Sequence, residues 1–209
     1  MRRQAELGFN IMIIGRWNPA IFAPQWIRKN VLSSDDEVIL AMPLGNPLAL
    51  PRLSFSGVHL FVGSEFLEIR PEALLPANIS TCATVASKLL EFLCHTPITA
   101  IGINVRFEDD VPSDAFDDLF SFSDQGLINP ANYQLGSSTI ARNFALGATD
   151  SLNLSITQGP SLYQIEFNFH TESQEMETIR SKTSEAYIQS RMDQAKQFML
   201  DTYNASIDD

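Results

Sequence analysis

The segment Ile101-Gly-Ile-Asn-Val-Arg-Phe107 alternates apolar and polar residues with a period of two, and so do Leu152-Asn-Leu-Ser-Ile156 and Tyr163-Gln-Ile-Glu-Phe-Asn-Phe-His170. Successive side chains of a β-strand point to opposite faces, so each segment can bury one face and leave the other in water. The pattern is typical of an antiparallel sheet that is covered on one side only. It therefore predicts a sheet with one apolar and one polar face.

Further strands are predicted on either side of these segments. Residues 9–14 are almost continuously apolar, which predicts a strand that is buried on both faces. Ser56-Gly57 and Gly63-Ser64 are turn signals that divide a three-stranded meander. The predicted strands outside the three alternating segments are 9–14, 37–42, 53–55, 58–62, 65–70 and 139–145.

Two main helices are predicted. Residues 78–95 carry apolar residues at three- and four-residue steps, with Asn78 or Ser80 as the N-cap and Pro97 beyond the end. The last helix begins between Gln174 and Ser184 and runs to about Asn204. Together with the strands, these helices indicate an α+β fold in which an antiparallel or mixed sheet has one face covered by the two helices.

Length and composition indicate a single folded domain over residues 1–209. The chain is 44% hydrophobic and contains 14 Phe, enough for a sizeable core. No linker and no internal repeat is evident, and the ends, residues 1–8 and 205–209, are expected to be poorly ordered.

Charge and cysteine content limit the class of function. The formal net charge of −11 makes direct binding to nucleic acid unfavourable, since the chain has no basic patch with interleaved aromatic residues. Cys82 and Cys94 lie too far apart on one helix for a disulfide, and both are expected to be apolar core residues in a reducing compartment. No signal peptide or membrane span is recognised, so a cytoplasmic location is expected.

Arg16-Trp17-Asn18 is the first candidate binding site, because it directly follows the predicted strand 9–14. Arg16 could bind an anion, Trp17 could stack on a ligand, and Asn18 could orient it. The alternative is a structural turn in which Trp17 packs on the core and Asn18 precedes Pro19 for backbone reasons.

The polar face of the sheet is the second candidate. Asn104 and Arg106 share one face of their strand, and Glu166, Asn168 and His170 share one face of theirs. If the two strands are neighbours, an Arg106–Glu166 pair and His170 could converge as a general acid–base site. The alternative is a solvated face with cross-strand polar pairs.

The C-terminal helix offers a possible interface for self-association, since Ile188, Met192 and Met199 form a narrow apolar seam. The alternative is that this helix packs on its own sheet. The histidines have no metal-ligand spacing, and no nucleophile elbow, phosphate-binding loop or dinucleotide fingerprint is present in the sequence, so no metal and no cofactor is expected.

Three segments carry a resemblance to a known family. Residues 9–21, 95–107 and 164–170 resemble a family of uncharacterised bacterial single-domain proteins. The family has no assigned activity, cofactor or substrate, so the resemblance implies a bacterial, cytoplasmic, stand-alone domain and no functional residue.

Two functions are compatible with these features. The first is a non-enzymatic protein that binds a protein partner, as a homodimer or as an accessory subunit of a bacterial cytoplasmic assembly such as a defence system. The second is a small hydrolase that uses Arg106, Glu166 and His170. The scarcity of catalytic motifs favours the first.

Overall fold

A mixed α and β architecture is present in the computed structural model, which describes residues 8–32, 36–43, 50–124, 127 and 135–205. These residues form one nine-stranded sheet of strand order β2-β3-β4-β5-β1-β6-β9-β8-β7. Every neighbouring pair is antiparallel. The predicted α+β class and antiparallel sheet are thus confirmed. The strands are β1 Gly8–Gly15, β2 Ile39–Ala41, β3 Arg52–Phe55, β4 Val58–Val62, β5 Phe66–Pro71, β6 Ile98–Asp110, β7 Ser138–Ala145, β8 Asp150–Gln158 and β9 Leu162–Glu172.

Four α-helices with described bounds accompany the sheet: α1 Pro24–Asn30, α2 Pro76–Phe92, α3 Met176–Ser181 and α4 Glu185–Tyr203. Neither Asn78 nor Ser80 caps α2, because the helix begins earlier, with Leu75 as the N-cap and Pro76 in its first turn. The predicted C-terminal helix is divided into α3 and α4, since the Ser184 hydroxyl accepts a hydrogen bond from Tyr187 N–H and caps α4.

One hydrophobic cluster joins the apolar face of the sheet to the buried sides of the helices. Ile103, Ile165 and Phe167 are fully buried on that face, as the alternation predicts. Buried residues of α2 and α4, such as Leu89 and Ile188, belong to the same cluster. Helices α2 and α4 contact each other, and both contact strands of the sheet. Phe107 and Phe167 meet edge to face, with ring centroids 5.9 Å apart.

Two predictions about burial are wrong. Strand β1 is not buried on both faces: Ile11 and Ile13 are buried, but Met12 is half-buried and Ile14 is 37% exposed. Cys94 is exposed because α2 ends before it, whereas Cys82 lies in the core as predicted.

The two halves of the sheet share one topology. In each half a central strand (β1 or β6) pairs with the last strand of a following meander (β5 or β9), and a helix comes next (α2, or α3 followed by α4). The central strands β1 and β6 are antiparallel neighbours, so a pseudo-two-fold axis normal to the sheet relates the halves. With this axis placed between Asn10 and Asn104, the strand registers put Glu68 of one half at the position that Glu166 occupies in the other. The sequence shows no repeat because few other residues match.

Some expectations concern residues outside the described ranges. Residues 1–7 and 206–209, most of the two ends expected to be poorly ordered, are among them; Gly8 is the first residue of β1. One continuous sheet and one core cluster are what a single domain requires, and the single-domain assignment over 1–209 stays a prediction. Among the helices of the described ranges, none combines the length and apolarity needed to cross a bilayer.

Removal of the Phe167 ring tests the one-sided core. Phe167→Ala should lower the free energy of unfolding by about 3–5 kcal/mol, because the ring is fully buried between strands and helix. Gln164→Ala, on the exposed side of the same strand, should change it by less than about 0.5 kcal/mol. Urea unfolding followed by circular dichroism measures both. Equal losses in the two variants would contradict the assignment of faces.

Candidate binding site on the polar face of the sheet

The face opposite the core, here called the polar face, consists of side chains that alternate with the buried ones along each strand. At its centre lie Asn104 and Arg106 of β6 and Glu166, Asn168 and His170 of β9. Register pairs Asn104 with Asn168 and Arg106 with Glu166, so the two strands are neighbours, which is the condition that the sequence left open. These side chains are half-buried or exposed, because the core cluster lies on the other side.

Four asparagines form a hydrogen-bonded row across the polar face. Asn143 Nδ2 donates to Asn153 Oδ1 (2.6 Å), and Asn153 Nδ2 donates to Asn168 Oδ1 (3.0 Å). Asn168 Nδ2 donates in turn to Asn104 Oδ1 (2.6 Å). The two inner amides, Asn153 and Asn168, each donate on one side and accept on the other, so the dipoles align and neighbouring bonds strengthen one another. We call these residues the amide row.

Asn10 of β1 lies directly opposite Asn104 and continues the same line. Its Nδ2 donates to the carboxylate of Glu68, which also accepts hydrogen bonds from Arg70 Nε (2.6 Å) and Nη2 (2.9 Å). The guanidinium of Arg70 lies 5.1 Å from the ring centroid of Phe61. Arg70 is thus held by a carboxylate and an aromatic face, and the nearly buried Glu68 has a paired charge.

The hydrogen-bonded line is interrupted between Asn104 and Asn10. Asn10 is 5% exposed, and its Oδ1 is a buried acceptor without a hydrogen-bond partner in the described residues. Asn104 Oδ1 accepts from Asn168, whereas no hydrogen bond joins Asn104 Nδ2 to a residue of the described ranges. An unsatisfied buried carbonyl costs roughly 1–3 kcal/mol, so the interruption calls for an explanation.

A shallow depression of about 420 Å³ lies over the interruption. Gly102 contributes to the floor of this depression. A Cβ at this position would lie 2.7 Å from Asn168 Nδ2, which is closer than real Cβ atoms come to other heavy atoms. The absence of a side chain at Gly102 therefore leaves room for the Asn168 amide. A second depression of about 240 Å³ adjoins it, and both are lined by Asn10, Asn104, Arg70 and Arg106.

Arg106, Glu166 and His170 share the polar face but do not converge. Arg106 Nε lies 2.5 Å from Glu166 Oε1, and both side chains are half exposed. His170 lies four residues from Glu166 on the same strand, about 13 Å away, with Asn168 between them. Arg106 and His170 both line the larger depression, and His170 Nε2 lies 3.7 Å from Glu172 Oε1.

The structure gives Trp17 and Asn18 structural roles, while Arg16 is exposed. Trp17 is buried, its Nε1 donates to Ile13 O (3.2 Å), and its ring packs edge-on against Phe22. Asn18 Oδ1 accepts from Ala20 N–H and begins a 3₁₀ turn over Pro19–Ile21. Trp17 therefore has no free face for stacking, which agrees with the structural-turn alternative.

The predicted interface on the C-terminal helix needs correction. Ile188, Met192 and Met199 are 0%, 4% and 2% exposed, respectively, and belong to the core cluster. They cannot meet a second copy without opening the core. The helix packs on its own sheet, which is the alternative that the sequence left open.

Sequence reasoning missed several polar-face residues. Asn143 and Asn153 were detectable as Asn at outward positions of strands, but their row depends on a register that no local pattern fixes. Ser54 and His59 were also missed: Ser54 Oγ lies 2.9 Å from His59 Nδ1 across β3 and β4. Among the described residues, no three His, Cys, Asp or Glu side chains are grouped as a metal ion would require.

Neither the protein-family models nor the curated proteins contain a match to this chain. The resemblance of residues 9–21, 95–107 and 164–170 to uncharacterised bacterial proteins thus stays a prediction.

Gly102→Ala tests the amide row. The added methyl group would displace the Asn168 amide, so we expect the free energy of unfolding to fall by about 1–2 kcal/mol. Gly136→Ala is the matched control, because a Cβ there meets no atom within 4 Å. Chemical denaturation measures both. No loss in Gly102→Ala relative to the control would contradict the packed arrangement of these amides.

His59 predicts a pH dependence. Burial lowers the pKa of His59 below its usual 6.5, and nearby Arg52 lowers it further. The folded state therefore binds this proton less readily than the unfolded state, so stability is complete above about pH 6.5 and falls as pH decreases through the lowered pKa. His59→Asn introduces the residue type that Asn153 supplies at the equivalent position in the other half of the sheet. This variant should lose the acid sensitivity that His59 causes. Denaturation of both proteins across this pH range measures it, and parallel pH profiles would contradict the prediction.

Proposed function

We propose that the protein is a non-enzymatic binding protein whose polar face contacts a protein partner, as an accessory subunit of a bacterial cytoplasmic assembly. The observation that carries the proposal is the aligned amide row on the polar face, opposite the face that carries the core cluster. A hydrogen-bonded row of short side chains is a rigid surface, so little conformational entropy is lost when a partner binds.

The charges at the centre of the polar face favour a protein over a nucleic acid as the partner. Arg70 is paired with Glu68, and Arg106 with Glu166, so the cations there are compensated. The chain as a whole carries a formal charge of −11. A phosphate backbone would meet neither a basic surface nor a free pair of cations.

The hydrolase remains the second candidate because Arg106 and His170 line the same depression. Two features weigh against it. Glu166 lies too far from His170 to orient the imidazole, and the depression is open to solvent on a sheet face, where water is poorly excluded.

A bulky charge on the polar face should abolish partner binding. Ser155 lies on this face of β8, paired with Glu166, and Ser155→Arg should block the surface without entering the core. Gln189→Arg, on the exposed side of α4, is the matched control. Affinity capture from the native cells, with intact-mass measurement of the complex, should recover one partner with wild type and control, and lose it with Ser155→Arg.

Three results would contradict the proposal. One is a lone monomer recovered with wild type under gentle conditions. Another is retention of the partner by Ser155→Arg with the native circular dichroism spectrum. The third is hydrolysis of a broad ester and phosphoester panel that is lost in His170→Gln, which would favour the second candidate.

A further inference from the structure

The two edge strands of the sheet differ in how they are protected against pairing with another strand. β2, at one edge, has only three residues, Ile39–Ala41, and Pro43 follows two residues after it. β7, at the other edge, has eight residues, Ser138–Ala145, and contains no proline. It pairs with β8 over its whole length without a bulge. Short length, proline and bulges are devices that prevent edge strands from pairing further, and β7 has none of these three.

Half of the backbone groups of β7 point away from the sheet. Leu146 N–H donates to Asp150 O at the start of β8 (2.9 Å), so the even-numbered residues of β7 direct their N–H and C=O groups toward β8. Backbone groups alternate along a strand, so the odd-numbered residues direct theirs outward. The outward-directed residues are Thr139, Ala141, Asn143 and Ala145. Within the described part of the chain, β8 is the one strand that pairs with β7.

Two side chains on the polar face of β7 have hydrogen-bonding capacity left at this edge. Asn143 is the outer end of the amide row, and its Nδ2 donates inward to Asn153. No donor among the described residues bonds to Asn143 Oδ1. Thr139 Oγ1 lies 2.9 Å from Thr157 Oγ1, and either hydroxyl can be the donor. When Thr157 donates, the Thr139 hydroxyl can donate outward. The edge therefore offers an acceptor and a donor four residues apart.

We propose that β7 pairs antiparallel with β7 of a second copy of this chain, about a two-fold axis at Ala141, so that the two sheets join into one. The axis is normal to the sheet, so the polar faces of both copies lie on the same side. It places Thr139 of each copy opposite Asn143 of the other, so a hydroxyl donor meets an amide oxygen twice. This surface differs from the polar-face contact of the proposed function, and the inference goes beyond that function.

The side chains of β7 favour this register over the adjacent ones. With the axis at Ala141, two small side chains meet at the centre, and Ile140 lies opposite Arg142 of the other copy. With the axis at Arg142, two guanidinium groups would be directly opposed, which is destabilising. An axis at Asn143 would pair residues 141–145 only, whereas the axis at Ala141 pairs residues 138–144.

The size and charge of the contact indicate a dimer that dissociates on dilution. One pair of strands buries less area than a standard interface of about 1,600 Å². Each copy also carries a formal charge of −11, so the two copies repel each other over longer distances. Added salt should therefore tighten the dimer, because it screens this repulsion more than it weakens backbone hydrogen bonds.

Sedimentation velocity of the isolated full chain over a range of concentrations tests the inference. We expect the mass to rise reversibly from 23.3 kDa toward twice that value. The double variant Thr139→Asp, Asn143→Asp places like charges directly opposite each other twice, and it should weaken the dimer about tenfold. Thr139→Lys, Asn143→Asp is the matched control: it loses the same amide but pairs opposite charges, so its dimer should be at least as tight as that of the wild type.

Backbone hydrogen exchange, followed by nuclear magnetic resonance, identifies the edge itself. The outward N–H groups of Thr139, Ala141 and Asn143 should exchange rapidly in the dilute monomer and slowly in the dimer. The N–H groups of Ile140 and Arg142 are the internal controls, because they point toward β8 and should be protected at both concentrations.

Three results would overturn the inference. The first is a chain that stays monomeric at about 1 mM, the result expected if the edge takes only a strand of an unrelated protein. The second is equal weakening of the dimer in the two double variants. The third is slow exchange of the outward N–H groups in the monomer, which would mean that the chain's own residues cover the edge. The proposed function is tested separately, by capture of the partner and its loss in Ser155→Arg.

Discussion

The two-residue repeat of strand side chains is the constraint from which the rest of the structure follows. It sends Ile103, Ile165 and Phe167 into one core and sends their neighbours to the opposite face. Burial of aromatic and branched side chains supplies most of the folding free energy, and the helices add their apolar sides to the same cluster. The polar face can therefore be specialised without weakening the core.

The centre of the polar face is where the two halves of the sheet meet. Asn10 and Asn104 face each other across β1 and β6, and the strand registers place Glu68 and Glu166 at equivalent positions. The two halves differ in the residues that flank this centre. Beside Asn10, β5 carries the Glu68–Arg70 ion pair, whereas beside Asn104 the row continues with the amide of Asn168. The hydrogen-bonded line breaks at the point where the two patterns join.

The sequence predicts local structure better than it predicts the site. Alternation in residues 101–107 and 163–170 was sufficient for the strands and their faces, because strand periodicity is local, whereas the Arg106–Glu166 pair was predicted only on the condition that the two strands are neighbours. The β1 run misled, since its apolar Met12 and Ile14 lie on the polar face. The amide row could not be predicted from the sequence. It depends on the registers between strands that are far apart in the chain, and the assembled core sets those registers.

Thiol labelling of a Ser155→Cys, Cys94→Ser double variant tests most directly whether the polar face is uncovered. Cys82 serves as the internal reference: it is fully buried, and burial raises its pKa to about 12, so it should react only after unfolding. Position 155 is half-buried on the polar face, so the account predicts that its thiol reacts in the folded protein much faster than Cys82. Protection of that thiol to the level of Cys82, in a monomer with the native circular dichroism spectrum, would contradict it.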